Sequence, residues 1–137
     1  MNKLVKLSEL FEPECGINLE LINLDQCNPT EDGAVPFVSR TEKNNGVSAF
    51  VYKDFDIEPN PAHTLSVAAG GSVLSVFYQP LPYYTGFHVL ILHPKKQMST
   101  MEMLLYARLI SNNKYKYNFG RQANRTLKGI LIPKVCL

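Results

Sequence analysis

The chain has 137 residues, of which 45% are apolar and 19% charged, with a formal net charge of +2. That length suits one domain with a real hydrophobic core, and no apolar run approaches the ~20 residues that cross a bilayer, so the sequence reads as a cytoplasmic protein with no membrane contact. The charge is uneven: residues 1–32 sum to −5 and residues 95–137 to +8, so a polyanion would meet one face and be repelled by another.

Taken in order, Leu4–Phe11 reads as a short helix or an opening strand that Pro13 ends. The alternation of INLELINL (17–24) predicts a half-buried strand. DQCNPTEDG (25–33) is a loop. VPFVS (35–39) reads as a short edge strand, where Pro36 is tolerated near the start. Asn44-Asn45-Gly46 predicts a tight hairpin, because Asn and Gly accept positive φ, with VSAFVY (47–52) as the returning strand. Arg40, Lys43, Asn44 and Asn45 then sit together at its tip, exposed and able to donate.

DFDIEPN (54–60) puts Asp54, Asp56 and Glu58 on one face of an extended segment. Pro59 stands where a calcium loop needs its turning glycine, so a solvated edge is the reading, and no metal site is assigned. TLSVAAGGSVLSVFYQPL (64–81) is the core hairpin, with Ala69–Ser72 turning between its strands. QPLPYYTG holds Tyr83, Tyr84 and Thr85 in a loop, and FHVLIL (87–92) is a central strand buried on both faces. His63, His88 and His93 lack metal-ligand spacing and read as structural. Cys15, Cys27 and Cys136 are odd in number and form no CxxC pair, which points to free thiols. STMEMLLYARLISNN (99–113) is a helix opened by a Ser99/Glu102 capping box, apolar over most of its surface and therefore expected to be largely buried. GILIPKV (129–135) closes the chain as a strand that Pro133 ends.

The helix delivers the chain into KYKYNFGRQANRTLK (114–128), which carries five cations and three aromatics and no acid in fifteen residues. Lys and Arg attract phosphates, while Asn, Gln and Arg form paired hydrogen bonds with base edges. Gly120 suggests a bend within it. A binding loop is the first reading and an ordinary solvated basic surface the alternative.

The opening KLSELFEPECGINLE, the VPFVSRTEKNNGV hairpin, the TLSVAAGGSVLSVFYQPLPYYTGFHVLIL block, the helix and YKYNFGRQANRTLKGILIP come in an order and spacing that resemble a target recognition domain. Such domains occur in the DNA specificity subunits of type I restriction-modification systems and of type IIB relatives. The resemblance covers nearly all of residues 1–137 as a single domain. It implies an α+β fold, mostly β with a curved sheet, hairpins and one main helix, similar to the recognition domain of adenine-N6 DNA methyltransferases. It also implies no active site and no cofactor. Such a domain reads one half of a split sequence in double-stranded DNA and positions methyltransferase subunits, with a restriction subunit in type I systems. Carried over, the DNA-facing residues are Arg40, Lys43, Asn44 and Asn45 in the hairpin and Gln79, Tyr83, Tyr84 and Thr85 in the aromatic loop. To these the basic stretch adds Lys114, Lys116, Tyr117, Asn118, Arg121, Gln122, Asn124 and Arg125.

One departure stands out. Subunits of the family usually continue past the Ile-Pro strand into a long spacer helix, whereas this sequence stops at Leu137. That suggests an excised domain, or a free-standing one that binds a restriction-modification enzyme and redirects or blocks it. A small metal nuclease built on Asp54, Asp56 and Glu58, and RNA binding through the aromatics, are the remaining rivals.

Overall fold

A computed structural model describes residues 4–70, 73–112 and 131–134. The elements are β1 (Leu4–Lys6), α1 (Leu7–Leu10), β2 (Phe11–Cys15), β3 (Gln26–Cys27), β4 (Ala34–Val38), β5 (Val47–Tyr52), β6 (Thr64–Gly70), β7 (Val73–Gln79), β8 (Tyr84–Thr85), β9 (Val89–Pro94), α2 (Thr100–Ser111) and β10 (Leu131–Pro133). The domain is mostly β with one main helix, as expected. Its strands form a first sheet in the order β2-β9-β6-β7, a second in the order β3-β5-β4-β8, and a β1-β10 pair.

Strand alternation sorts the side chains of the first sheet into two layers, because successive residues point to opposite faces. Leu65 and Val67 of β6 and Leu90 and Leu92 of β9 join Leu7, Phe11, Met103, Tyr106 and Ile110 in the main core. The alternate residues Val89 and Ile91 of β9 join Val38 of the second sheet and Tyr83, just before β8, in another cluster. FHVLIL is thus buried on both faces as predicted, although the strand itself starts at Val89 and Phe87 is exposed. The predicted hairpin 64–81 is β6–β7, whose register runs from Thr64↔Gln79 to Gly70↔Val73.

Helix α2 is capped as its sequence requires. The Glu102 N–H donates to Ser99 Oγ (3.1 Å) and the Ser99 N–H donates to the Glu102 carboxylate (3.2 Å). Its buried stripe is Met103, Tyr106, Ala107 and Ile110, the spacing of one helix face. It packs on β6 and β7, and the Tyr106 ring meets Phe11 edge-on. Met101, Leu104 and Leu105, expected in the core, are exposed. A helix laid on one side of a sheet buries one stripe, however apolar the other.

Other expectations are corrected by long-range pairing. Leu4–Phe11 holds a strand and a helical turn in succession, and Pro13 interrupts nothing, since β2 runs through it. The Gly16 N–H bonds to Val89 across β9; by alternation Pro13 turns its nitrogen to the open edge, where no partner is lost. Residues 17–24 form no strand. Ile17, Leu19 and Leu21 do alternate inward onto Val35, Phe37, Val51 and Tyr84, yet the segment ends in a 3-10 turn at Leu21–Asn23 instead of a ladder.

β4 is flanked by β5 and β8 and so is not an edge strand, but β8 reaches only Phe37 and Val38, which leaves Pro36 beyond its end. Residues 54–59 make a turn, not a strand: the Asp56 N–H donates to the Asp54 carboxylate (2.9 Å) and the Ile57 N–H to the Asp54 carbonyl (3.0 Å).

Leu92→Ala, at a site with 0% exposure, is expected to cost ~2–5 kcal/mol in urea unfolding. Met101→Ala on the open face of α2 is expected to stay within ~0.5 kcal/mol.

Candidate nucleic-acid interface

The hairpin joining β4 to β5 is built on two asparagines. Asn44 and Asn45 have φ of 53° and 58°, and the Gly46 N–H donates to the Lys43 carbonyl at 2.9 Å. Positive φ at both central residues with that closing bond defines a type I′ turn over Lys43–Gly46. The turn therefore centres on Asn-Asn, one residue before the Asn-Gly pair, and it caps a longer loop closed at its base by the Ser39 N–H on the Gly46 carbonyl (3.0 Å). Gly46 is required twice over: its φ is +79°, and a Cβ there would lie 3.1 Å from the Phe77 ring.

Arg40, Lys43 and Asn44 are exposed on this loop, together with Glu42, which offsets one of their charges. Asn45 is exposed as well, but it is also tied down. Its Nδ2 donates to the Tyr78 carbonyl on β7 at 2.8 Å, and its backbone carbonyl accepts from Gln79 Nε2 at 2.8 Å. One hydrogen of its amide is thus engaged in tying the turn of the second sheet to the last strand of the first, and the other stays available.

The aromatic loop is corrected more fully. Gln79 is 2% exposed, and Tyr83, Tyr84 and Thr85 are 0% exposed. Gln79 also donates to Ser66 Oγ (3.1 Å), and the Tyr83 hydroxyl lies 2.8 Å from Thr64 Oγ1. The Tyr84 hydroxyl accepts from the Asp54 N–H (3.0 Å) and lies 2.9 Å from the Ile57 carbonyl. Thr85 Oγ1 donates to the Ile17 carbonyl (2.8 Å) and lies 3.2 Å from Asn60 Nδ2. The physical reason is that residues 84 and 85 join β4 as a parallel strand, with Tyr83 packed among Val38, Val89 and Ile91 and Tyr84 among Val35, Phe37 and Val51, while Gln79 ends β7 beside Ser66 and Asn45. None of the four is exposed at the surface.

The remaining candidates, Lys114, Lys116, Tyr117, Asn118, Arg121, Gln122, Asn124 and Arg125, lie outside the described residues. The last described residue before them, Asn112, lines a groove of about 630 Å³ between α2 and β7. Asn45, Phe77 and Tyr78 form one wall, and Arg108, Ser111 and Asn112 the other. Arg108 is a residue that sequence reasoning missed. Its spacing from Ser111 and Asn112 places all three on one face of the last helical turn, a polar patch hidden by reading the helix as core.

The groove offers guanidinium, hydroxyl and amide groups beside apolar Val76, Phe77, Leu104 and Ala107, which suits hydrogen bonding. Among the described residues no group of three His, Cys, Asp or Glu is placed to hold a metal. Both ring nitrogens of His63 are engaged, by the Tyr78 hydroxyl and the Met98 carbonyl at 2.8 Å each. His93 pairs with Glu14 at 2.9 Å. No helix among the described residues is long and apolar enough to cross a membrane.

This two-sheet, one-helix arrangement is the fold of restriction-modification specificity subunits. It is similar to the S subunit of a type I restriction-modification system from M. genitalium (TM-score 0.64, 16% identity, covering 97% of this chain and 34% of that one). It is similar also to the HsdS subunit from Thermoanaerobacter tengcongensis (TM-score 0.65, 14% identity, 96% and 32%). The chain spans about a third of the length of these subunits. Among curated proteins none matches the sequence. Residues 2–133 match the family described as type I restriction modification DNA specificity domain, and the chain belongs to that family.

Asn45→Gly keeps the left-handed backbone but removes the bond to Tyr78, and is expected to lower stability by ~0.5–1.5 kcal/mol. Asn45→Ala adds ~1–2 kcal/mol of left-handed strain, so comparing the two urea midpoints separates bond from backbone. Burial pushes the Tyr83 hydroxyl well above its usual range, with the Thr64 bond pulling the other way. Folded Tyr83 stays protonated where the unfolded chain ionises, so its contribution is full below ~pH 10 and declines as pH rises towards the folded value. Unfolding midpoints measured between about pH 9 and about pH 11 are expected to fall less in Tyr83→Phe than in the parent.

Proposed function

We propose that this domain reads one half of a bipartite sequence in double-stranded DNA and so directs the methyltransferase and restriction subunits of its restriction-modification system. The observation that carries the reading is the groove. It brings the loop bearing Arg40, Lys43 and Asn44 opposite Arg108, Ser111 and Asn112, at the point where the chain enters its most basic stretch. Asn45 is the loop residue that lines it, and in this reading two candidate segments more than sixty residues apart in sequence act on one face. Membership of the DNA specificity family supports the DNA-reading role.

The chemistry divides between two kinds of side chain. Lys and Arg supply salt-dependent, sequence-blind attraction by releasing counterions from phosphates. Asn, Gln and bidentate Arg discriminate base edges, at ~1–3 kcal/mol for each good pair. In this reading the domain contributes binding alone, and methyl transfer and cleavage belong to other subunits. One half-site gives weak affinity, which becomes tight when the assembly links two.

Replacing Arg40, Lys43, Lys114 or Lys116 with Ala is expected to weaken all DNA alike and to flatten the salt slope by ~1 for each phosphate left without its cation. Replacing Asn44, Arg108, Arg121, Gln122 or Asn124 is expected to cost ~1–3 kcal/mol on the preferred half-site and little on random DNA. The measurement is a titration of each variant in the assembled complex against both DNAs at two salt concentrations. Equal losses on both DNAs for every variant would reduce the groove and the basic stretch to an electrostatic handle.

A further inference from the structure

Two turns beside the second sheet, with the end of β5, carry exposed apolar side chains where a solvated surface has no use for them. Phe55 is 95% exposed, Ile22 87% and Tyr52 42%. Single exposed apolar residues are ordinary, but grouped ones mark interaction sites. Tyr52 and Phe55 are grouped, since with Asn23, Asp25 and Asp54 they line one depression of about 260 Å³, and Ile22 is the chain neighbour of Asn23 in the 3-10 turn Leu21–Asn23. The two turns are held together by the Tyr52 N–H on the Asp25 carbonyl at 2.9 Å.

Phe55 is also presented rigidly. The buried Tyr84 hydroxyl accepts from the Asp54 N–H at 3.0 Å and lies 2.9 Å from the Ile57 carbonyl, so both flanks of the turn are anchored in the core. A turn whose backbone is already held loses little freedom on binding, and aromatic rings are the common anchors of protein interfaces.

The charge around it selects the partner. Asp25 and Asp54 line the depression, the Tyr52 hydroxyl donates to the Glu31 carboxylate, and Asp56 bonds within the Phe55 turn. Lys53 is the cation that lines it with them. A surface of this sign repels DNA, and an apolar tip with an acidic rim matches an apolar socket with a basic rim.

We infer that the face around Phe55 and Ile22 is a second docking surface, separate from the groove, that seats on a protein subunit offering an apolar socket ringed by lysines and arginines. The inference rests on the proposed function in that the partner is a protein subunit of the same restriction-modification assembly.

The test uses the protein containing this chain at its full natural length, with the other subunits of its system. Calorimetry reads protein–protein association, and a separate titration reads half-site DNA binding. Phe55→Ala and Ile22→Ala are expected to weaken association at least tenfold while changing half-site affinity less than twofold. Both side chains are exposed, so unfolding midpoints should match the parent. Asp25→Lys is expected to weaken association at low salt and less so at high salt. Association within twofold of the parent for both apolar variants would overturn the inference while leaving the DNA reading intact. Self-association that disappears in Phe55→Ala would overturn it too, by making the occupant a second copy of the chain. A parent protein that neither associates nor selects a DNA sequence would remove the proposed function along with it.

Discussion

Two four-stranded sheets that share no ladder must be joined by something other than strand pairing, and here the join includes buried polar side chains. Each such group left without a partner costs ~1–3 kcal/mol, so the contacts work as a set. Gln79 bonds Asn45 and Ser66, Tyr83 meets Thr64, and Asn60 donates to the Tyr83 carbonyl at 3.0 Å. Asn45 answers with its own bond to Tyr78. Because these bonds are directional, they fix the position of one sheet relative to the other more sharply than apolar packing alone. The hairpin loop and the end of α2, which belong to different halves of the domain, hold their distance across the groove for that reason.

The same join explains where charge and apolarity end up. Thr64 and Ser66 take the polar side of β6 while Leu65 and Val67 take the helix side. One strand thereby serves two interfaces of opposite character. Outside them, the surface separates into a face of cations and amides around the groove and a face of acids around the Tyr84-anchored turn. Under the proposed function, in which the domain sits between DNA and protein subunits, two surfaces that do not compete for the same ligand are what it needs.

How far the sequence reveals this depends on the range of the interaction involved. The Ser99/Glu102 box, the β6–β7 hairpin, the buried run after Phe87 and the left-handed asparagines are local, and their residue types declare them. The burial of Tyr83, Tyr84 and Thr85 is not local. Prolines and a glycine around two tyrosines read as an exposed loop until the partners Thr64, Asp54 and Ile17 are known, and those lie 19 to 68 residues away. Residues 17–24 failed in the opposite sense: their alternation correctly marks an inward face, but a strand also needs a neighbour, and alternation says nothing about neighbours. In α2 the apolar residues outnumber the positions one sheet covers, so composition alone did not choose between the Met103 and Leu104 stripes. Arg108 was hidden by the same ambiguity.

The type I′ turn has a consequence for how such a domain diversifies. Asn45, although exposed, is fixed by backbone hand and by its bond to Tyr78, and Gly46 by its φ and the Phe77 ring beneath it, while Arg40, Lys43 and Asn44 are exposed around them. Selection on the loop is therefore split between neighbouring positions. Exchanges at residues 40 and 43 can accumulate at little cost to folding, and Asn44 can pass to glycine or aspartate without changing the turn. A lineage can in this way explore new binding preferences through its outer residues while the inner pair keeps the platform still.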